Sequence, residues 1–316
     1  MDVDHYAWLE RDSEEAARWE AAQDEAADRA LSAWPGRERL RRQVASADVA
    51  SRLFAPIRSG DRWFRLIVHE GLSEPSLHVS DQPHGRGRVL VEPGAHTLDW
   101  FYPSPDGRLV AYGLSARGSE QSVLHLVEVD TGCVLPDRIP HTSFGVVAWL
   151  PDSTGFYYNG GLGPDTEQPQ KYIFFHRIGE EPPMRPEPAI FRDDEDFIFP
   201  QISEDGRWVV AVSSEAEPRP DSILDRMEGV WRPFLLDLPT IVNGSIVGDR
   251  YVAVTTDGAP TGRLVAIPLT TPMDRSTWTE LRPAGGAVMR SVTPVGDRLV
   301  LEEPVSYTHL TLPTKA

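Results

Sequence analysis

Acyl transfer through serine needs a nucleophile on a strained strand-to-helix turn, followed along the chain by a carboxylate and a histidine. This chain has no Gly-x-Ser-x-Gly pentapeptide. The nearest approach, Gly113-Leu114-Ser115-Ala116-Arg117-Gly118, carries its second glycine one place late and lies on an expected strand, so Ser115 reads as structural. His69, His78, His96, His125, His141 and His176 stand singly, mostly among strand residues, where a structural role outweighs catalysis or metal binding. The run Asp193-Asp194-Glu195-Asp196 lacks the alternate spacing and the glycine of a calcium loop and reads as a solvated connection. Gly160-Gly161-Leu162-Gly163 has no following Lys-Ser/Thr or helical run, so it is not a phosphate cradle. Cys133 reads as a small buried strand residue. No catalytic residue, no metal site and no cofactor is therefore expected within this chain.

The elements that would position any site come from a repeat. A turn dipeptide, Asp-Gly or its reverse, is followed by Arg and an apolar run in Gly60-Asp61-Arg62-Trp63, Asp106-Gly107-Arg108-Leu109, Asp205-Gly206-Arg207-Trp208, Gly248-Asp249-Arg250-Tyr251 and Gly296-Asp297-Arg298-Leu299. A degenerate copy is Asp152-Ser153-Thr154-Gly155-Phe156. The acidic positions 61, 106, 152, 205, 249 and 297 lie 45, 46, 53, 44 and 48 residues apart. Glycine supplies the positive φ of a two-residue hairpin turn, and the run after it reads as a strand. Short strands repeating every ~40 to 50 residues are the signature of a β-propeller.

Charge narrows the partners. With 31 basic against 48 acidic residues, the net charge of -17 repels phosphate, which argues against nucleic acid and against an anionic membrane surface. The single cysteine cannot form an internal disulfide and fits a reducing compartment. The first residues lack a basic and apolar leader, and no apolar run nears the ~20 residues of a spanning helix, so a cytoplasmic location is expected.

Taken in order, Asp12 with Glu15 suggests a capping box for a helix over about 13–33, Trp34-Pro35-Gly36 stops it, and a second helix is expected over 37–47. The apolar face of this arm, with Trp8, Leu9, Trp19 and Leu31, needs a surface to lie on. From about 51 the pattern turns to strands, including 52–57, 63–69 and 76–80 in the first blade and 199–202, 208–213 and 231–237 in the fourth. The expectation is an all-β chain, an incomplete β-propeller of about five to six blades preceded by an N-terminal α-helical arm. Its divisions would be an arm over 1–50, blades over 51–304, and a non-native tail over 305–316 that reads as translated sequencing-library adapter.

Two stretches resemble the prolyl oligopeptidase family of serine peptidases. One is Asp4-His5-Tyr6-Ala7-Trp8-Leu9-Glu10 with Ser13-Glu14-Glu15 and Trp19, which departs from the family at His5, usually Pro. The other runs from Ser104-Pro105-Asp106-Gly107 through Ala111-Tyr112-Gly113-Leu114-Ser115 and Leu135-Pro136-Asp137 to Phe144 and Ala148-Trp149. Gly262-Arg263-Leu264-Val265-Ala266-Ile267 also matches the pattern. The resemblance implies seven blades and a separate α/β-hydrolase domain, absent here, on which the arm would pack. It implies a serine endopeptidase that cleaves short peptides after proline, with the propeller limiting substrate size, and a chain that is inactive by itself. Phe144 matches the propeller phenylalanine that reaches the family's substrate pocket, and an aromatic wall suits a proline-bearing peptide. Two alternatives stay open: a stand-alone binding propeller, and the propeller of an oligopeptidase-B-like peptidase that cleaves after Lys or Arg.

Overall fold

The structure is a computed structural model that describes residues 6–10, 13–47, 51–116, 119–163, 171–189, 197–213, 218–236 and 238–303. They fall into two compact units, 1–52 with 68–73, and 53–67 with 74–316. In the first, α1 (Glu14–Ala33) is capped by Ser13, whose hydroxyl accepts the amide of Ala16. Ser13 thus takes the capping role expected of Asp12, which lies outside the described residues. Helix α2 (Arg37–Ala47) begins where Trp34 and Gly36 turn the chain. Trp8 meets Trp19 edge-on at 6.2 Å, while Leu31, Trp34, Leu40 and Val44 stay about half exposed. No helix among the described residues is long and apolar enough to cross a membrane.

The second unit is a succession of antiparallel sheets. The first holds β1 (Arg52–Leu53), β2 (Ile57–Ser59), β3 (Arg62–Val68), β4 (Ser76–Ser80) and β5 (Arg88–Val91). The strand expected over 52–57 is broken into β1 and β2, because Pro56 cannot donate to a ladder. The second sheet holds β6 (His96–Pro103), β7 (Leu109–Ala116), β8 (Val123–Glu128) and β9 (Val134–Ile139). The third has β10 (Val147–Trp149), β11 (Gly155–Gly160) and β12 (Tyr172–Arg177). Beside β12 runs a proline-bearing segment, from which Glu187 donates its amide to the Ile173 carbonyl. The fourth holds β13 (Ile198–Ile202), β14 (Trp208–Ser213), β15 (Arg219–Asp225) and β16 (Val230–Pro233). The fifth holds β17 (Val242–Val247), β18 (Arg250–Thr255), β19 (Arg263–Pro268) and β20 (Thr279–Arg282). Finally β21 (Ser291–Val295) and β22 (Arg298–Glu302) form a two-stranded sheet.

Strand β15 escapes a pattern reading because Pro220, Asp221 and Ser222 look like a turn. A bulge between Ala211 and Val212 accommodates them, and buried Asp221 accepts the Ser213 hydroxyl at 2.6 Å.

Period-two alternation builds the array. Val110 and Tyr112 of β7 pack back on Phe64 and Leu77 of the first sheet, while Ala111 faces the third. Phe156 and Tyr158 of β11 face the second sheet, and Tyr157 between them faces the fourth. Val209 and Ala211 of β14 look back, Val210 and Val212 look forward to Tyr251 and Ala253, and Val252 and Val254 look on to Met289 and Val292. Each sheet thus packs on the sheets before and after it, and no core cluster joins the first to the last among the described residues. The described strands make five propeller blades and two strands of a sixth, an open array.

The repeated turns divide into two kinds, which corrects the expectation of a two-residue loop in every copy. Gly60-Asp61, Gly248-Asp249 and Gly296-Asp297 close two-residue loops, with glycine at φ 54°, 59° and 59°. Where the order is Asp-Gly, five residues separate the strands, and Ser104 and Ser203 supply what the shorter loop does not need. Ser104 donates to Asp106 at 2.7 Å and accepts from the Leu109 amide, while the Asp106 carboxylate accepts the Arg108 amide. Ser203, Asp205, Arg207 and Trp208 repeat this network. Adjacent turns also stack. A Cβ on Gly107 (φ 69°) would lie 2.6 Å from the Ser59 carbonyl oxygen, and the Ser59 hydroxyl donates to the Ser104 carbonyl at 2.6 Å.

This stacking predicts a contrast. Gly132 has φ 71° with nothing within 4 Å of the place a methyl would occupy, so Gly132→Ala should cost only the left-handed strain, about 1 to 2 kcal/mol. Gly107→Ala should cost clearly more; equal urea midpoints for the two variants would refute the stacking. The turn carboxylates set an acid limit. Hydrogen bonds hold Asp205, from Ser203 first, and Asp152, from Thr154 first, below the ordinary 3.8. For Asp106 partial burial pushes upward, and the bonds from Ser104, Arg108 and Ser153 outweigh it. Lowered native values stabilise the fold above the ordinary value, and that contribution is lost as pH falls through them. Thermal stability should therefore decline below about pH 4, and Asp205→Asn should flatten part of that decline.

Candidate functional site

Antiparallel pairing separates two ends of every blade. The Asp-Gly turns occupy one end, where Pro103 pairs with Val110, and the start of β6 lies at the other, where His96 pairs with Ala116. At that second end a cleft of about 700 Å³ opens. Its contributors are Pro75 before β4, Thr97 to Trp100 on β6, Glu120 between β7 and β8, Phe144 to Val146 before β10, and Phe197 before β13.

Trp100 forms the apolar wall. Its indole N–H donates to the Thr142 carbonyl at 3.2 Å, and glycines stand on either side of the ring. A Cβ would come within 2.3 Å of the ring from Gly113 and within 2.5 Å from Gly145. Tyr102 follows at 6.0 Å between ring centres, its phenol pKa raised by burial, so it stays neutral at physiological pH.

Phe144 is 56% exposed on this cleft and holds φ 50°. A left-handed phenylalanine persists only where its surroundings over-determine it. Fully buried Asn159 of β11 supplies that restraint: its amide donates to the Phe144 carbonyl at 3.3 Å, and its carbonyl accepts the Val146 amide at 2.6 Å. Among the described residues four non-glycines have positive φ, and three of them, Glu120, His141 and Phe144, lie in the loops at this end. Backbone strain is therefore concentrated beside the cleft.

Asp99 occupies a bulge in β6, between Leu98 and Trp100, and accepts two hydroxyls, Ser115 at 3.0 Å and Ser122 at 2.5 Å. Ser115 is 1% exposed and bonded to a carboxylate, so it has the environment of a structural serine. Two of the histidines on strands, His176 and His125, are likewise engaged. His176 meets Asp137 at 2.8 Å with both side chains buried, and Asp137 also accepts the Gly179 amide. His125 stacks on Tyr112, and burial, then Arg138, lowers its pKa, which keeps the ring neutral. Cys133 departs from expectation: it is exposed, in the loop before β9, where its amide donates to the Thr131 hydroxyl. Asp193 to Asp196 lie outside the described residues. Among the described residues no group of three or more His, Cys, Asp or Glu could hold a metal ion.

Sequence reading singled out Phe144 but missed Trp100, Asp99, Glu120 and Asn159. Only the pair Gly113 and Gly145 hinted at a bulky ring packed between them.

The family model for the prolyl oligopeptidase N-terminal β-propeller domain matches residues 2–310. The chain belongs to that family. Among curated prolyl oligopeptidase relatives, prolyl oligopeptidase A of Galerina marginata is 22% identical over 97% of this chain and 49% of its own length. The prolyl endopeptidase of Elizabethkingia meningoseptica is 23% identical over 88% of this chain and 41% of its own. A solved prolyl endopeptidase superposes with a TM-score of 0.85 at 26% identity, covering 96% of this chain and 47% of that one. Prolyl oligopeptidase B of Galerina marginata, solved with a 35-residue hydrolysis and macrocyclization substrate, shares the fold with a TM-score of 0.76 at 19% identity. The chain spans less than half the length of each of these two curated relatives.

The Asn159 anchor is directly testable. Asn159→Ala should cost about 1 to 3 kcal/mol for the unmade buried bonds and speed hydrogen exchange at the Val146 amide. An unchanged exchange rate there would show that the loop does not depend on Asn159.

Proposed function

We propose that this chain is the propeller part of a prolyl-oligopeptidase-like serine endopeptidase that cleaves short peptides after proline. In this reading the blades limit substrate size, and Phe144 contacts the peptide. The nucleophile, carboxylate and histidine belong to an α/β-hydrolase domain outside this chain, on which the exposed apolar residues of α1 and α2 pack. The observation that carries the reading is Phe144 itself, half exposed and left-handed in an aromatic cleft. An apolar ring presented at such a mouth is suited to a pyrrolidine ring, which buries apolar surface at little entropic cost. Family membership supports the peptidase assignment, because the relatives are named prolyl oligopeptidases and prolyl endopeptidases.

The purified 316-residue chain should bind a proline-containing peptide without turning it over, and Phe144→Ala should weaken that binding about tenfold, or 1.4 kcal/mol. Binding indifferent to Phe144→Ala would remove the peptide-contact role. Hydrolysis of a chromogenic proline peptide, abolished by Ser115→Ala, would overturn the division of labour between domains.

A further inference from the structure

The cleft at Phe144 carries a charge bias that an apolar proline pocket does not require. Two carboxylates line it, Asp99 and Glu120, and no Lys, Arg or His is among its described lining residues. The two differ in their state. Asp99 is fixed by the hydroxyls of Ser115 and Ser122 in the bulge of β6, yet remains partly exposed. Glu120 is exposed, and its carboxylate makes no hydrogen bond or ion pair with the described residues.

The backbone beneath Glu120 is held in place. It has φ 60°, in the left-handed region that a glutamate rarely adopts, and its carbonyl accepts the amide of Ser122 at 2.9 Å, while the Ser122 hydroxyl goes to Asp99. The Ser122 carbonyl in turn accepts the amide and hydroxyl of Thr142, whose own carbonyl receives the Trp100 indole. Glu120 is thus tied through two residues to the aromatic wall. An unpaired carboxylate beside Trp100, Tyr102, Phe144 and Phe197 suits a positively charged group, which gains a charge-assisted bond from the carboxylate and a cation–π contact from the rings.

We propose that Glu120, with the Asp99 charge behind it, makes this cleft select peptides that carry an ammonium or guanidinium group near the residue seated against Phe144. The inference rests on the reading of the cleft as a peptide-contact surface. The charge can come from a free α-amino terminus or from a Lys or Arg side chain.

Four proline-containing peptides of equal length, labelled at the C-terminus for fluorescence anisotropy, test it with the full chain. One is acetylated and neutral, one has a free amino terminus, one is acetylated with a single Lys, and one is acetylated with a single Glu. At least one cationic peptide should bind about tenfold tighter than the neutral one, and whichever does identifies the source of the charge. The Glu peptide should bind more weakly, and high salt should narrow the spread. The cationic-to-neutral ratio should fall towards one in Glu120→Gln and invert in Glu120→Lys. Equal binding of cationic and neutral peptides would overturn the proposal while leaving the cleft reading intact, and so would a ratio that survives Glu120→Lys. If none of the four binds, the cleft reading fails first and the charge selection with it.

Discussion

The structure depends on covering two apolar faces on every interior sheet. A strand such as β14 alternates Val209 and Ala211 towards one neighbour with Val210 and Val212 towards the other, so no interior sheet is satisfied by a single partner. Each sheet is therefore held by the one before and the one after it, and stability builds up seam by seam along the chain. The consequence appears at the end of the array. Among the described strands β22 pairs only with β21, and Leu299 and Val300 stay exposed.

The turns serve the same constraint at one end of the blades. Neighbouring sheets can approach only if their connecting loops fit together, and the glycine of one turn leaves room for the carbonyl of the next, as Gly107 does for Ser59. A similar close approach occurs between Gly206 and Pro151 of the preceding turn. Hydrogen bonds within each Asp-Gly loop satisfy its polar groups locally, which leaves that end short and chemically quiet.

The opposite end is built differently because the sheet-to-sheet connections return there. The loops at this end hold Glu120, between β7 and β8, and His141 and Phe144, in the connection before β10, in left-handed conformations. The restraint comes from polar groups on strands, buried Asn159 on β11 and half-buried Asp99 in the bulge of β6, so a rigid scaffold sets the geometry of exposed side chains. The seam between the second and third blades thus provides both a hydrophobic core and the walls of the cleft.

What could be read from the residues was whatever repeats or alternates locally. The spacing of the turn dipeptides reveals the blades, and helical periodicity with a proline-glycine stop bounds α1 and α2, because both signals arise within a few neighbouring residues. The strand β15 and the exposure of Cys133 were not legible, since burial of Asp221 and solvation of a loop thiol depend on what packs against them. The cleft was less legible still, beyond Phe144. Asp99, Trp100, Glu120 and Asn159 lie on different strands and loops and converge only when the second and third sheets pack, because a left-handed backbone and a two-hydroxyl clasp on a carboxylate are properties of tertiary contact that no local pattern encodes.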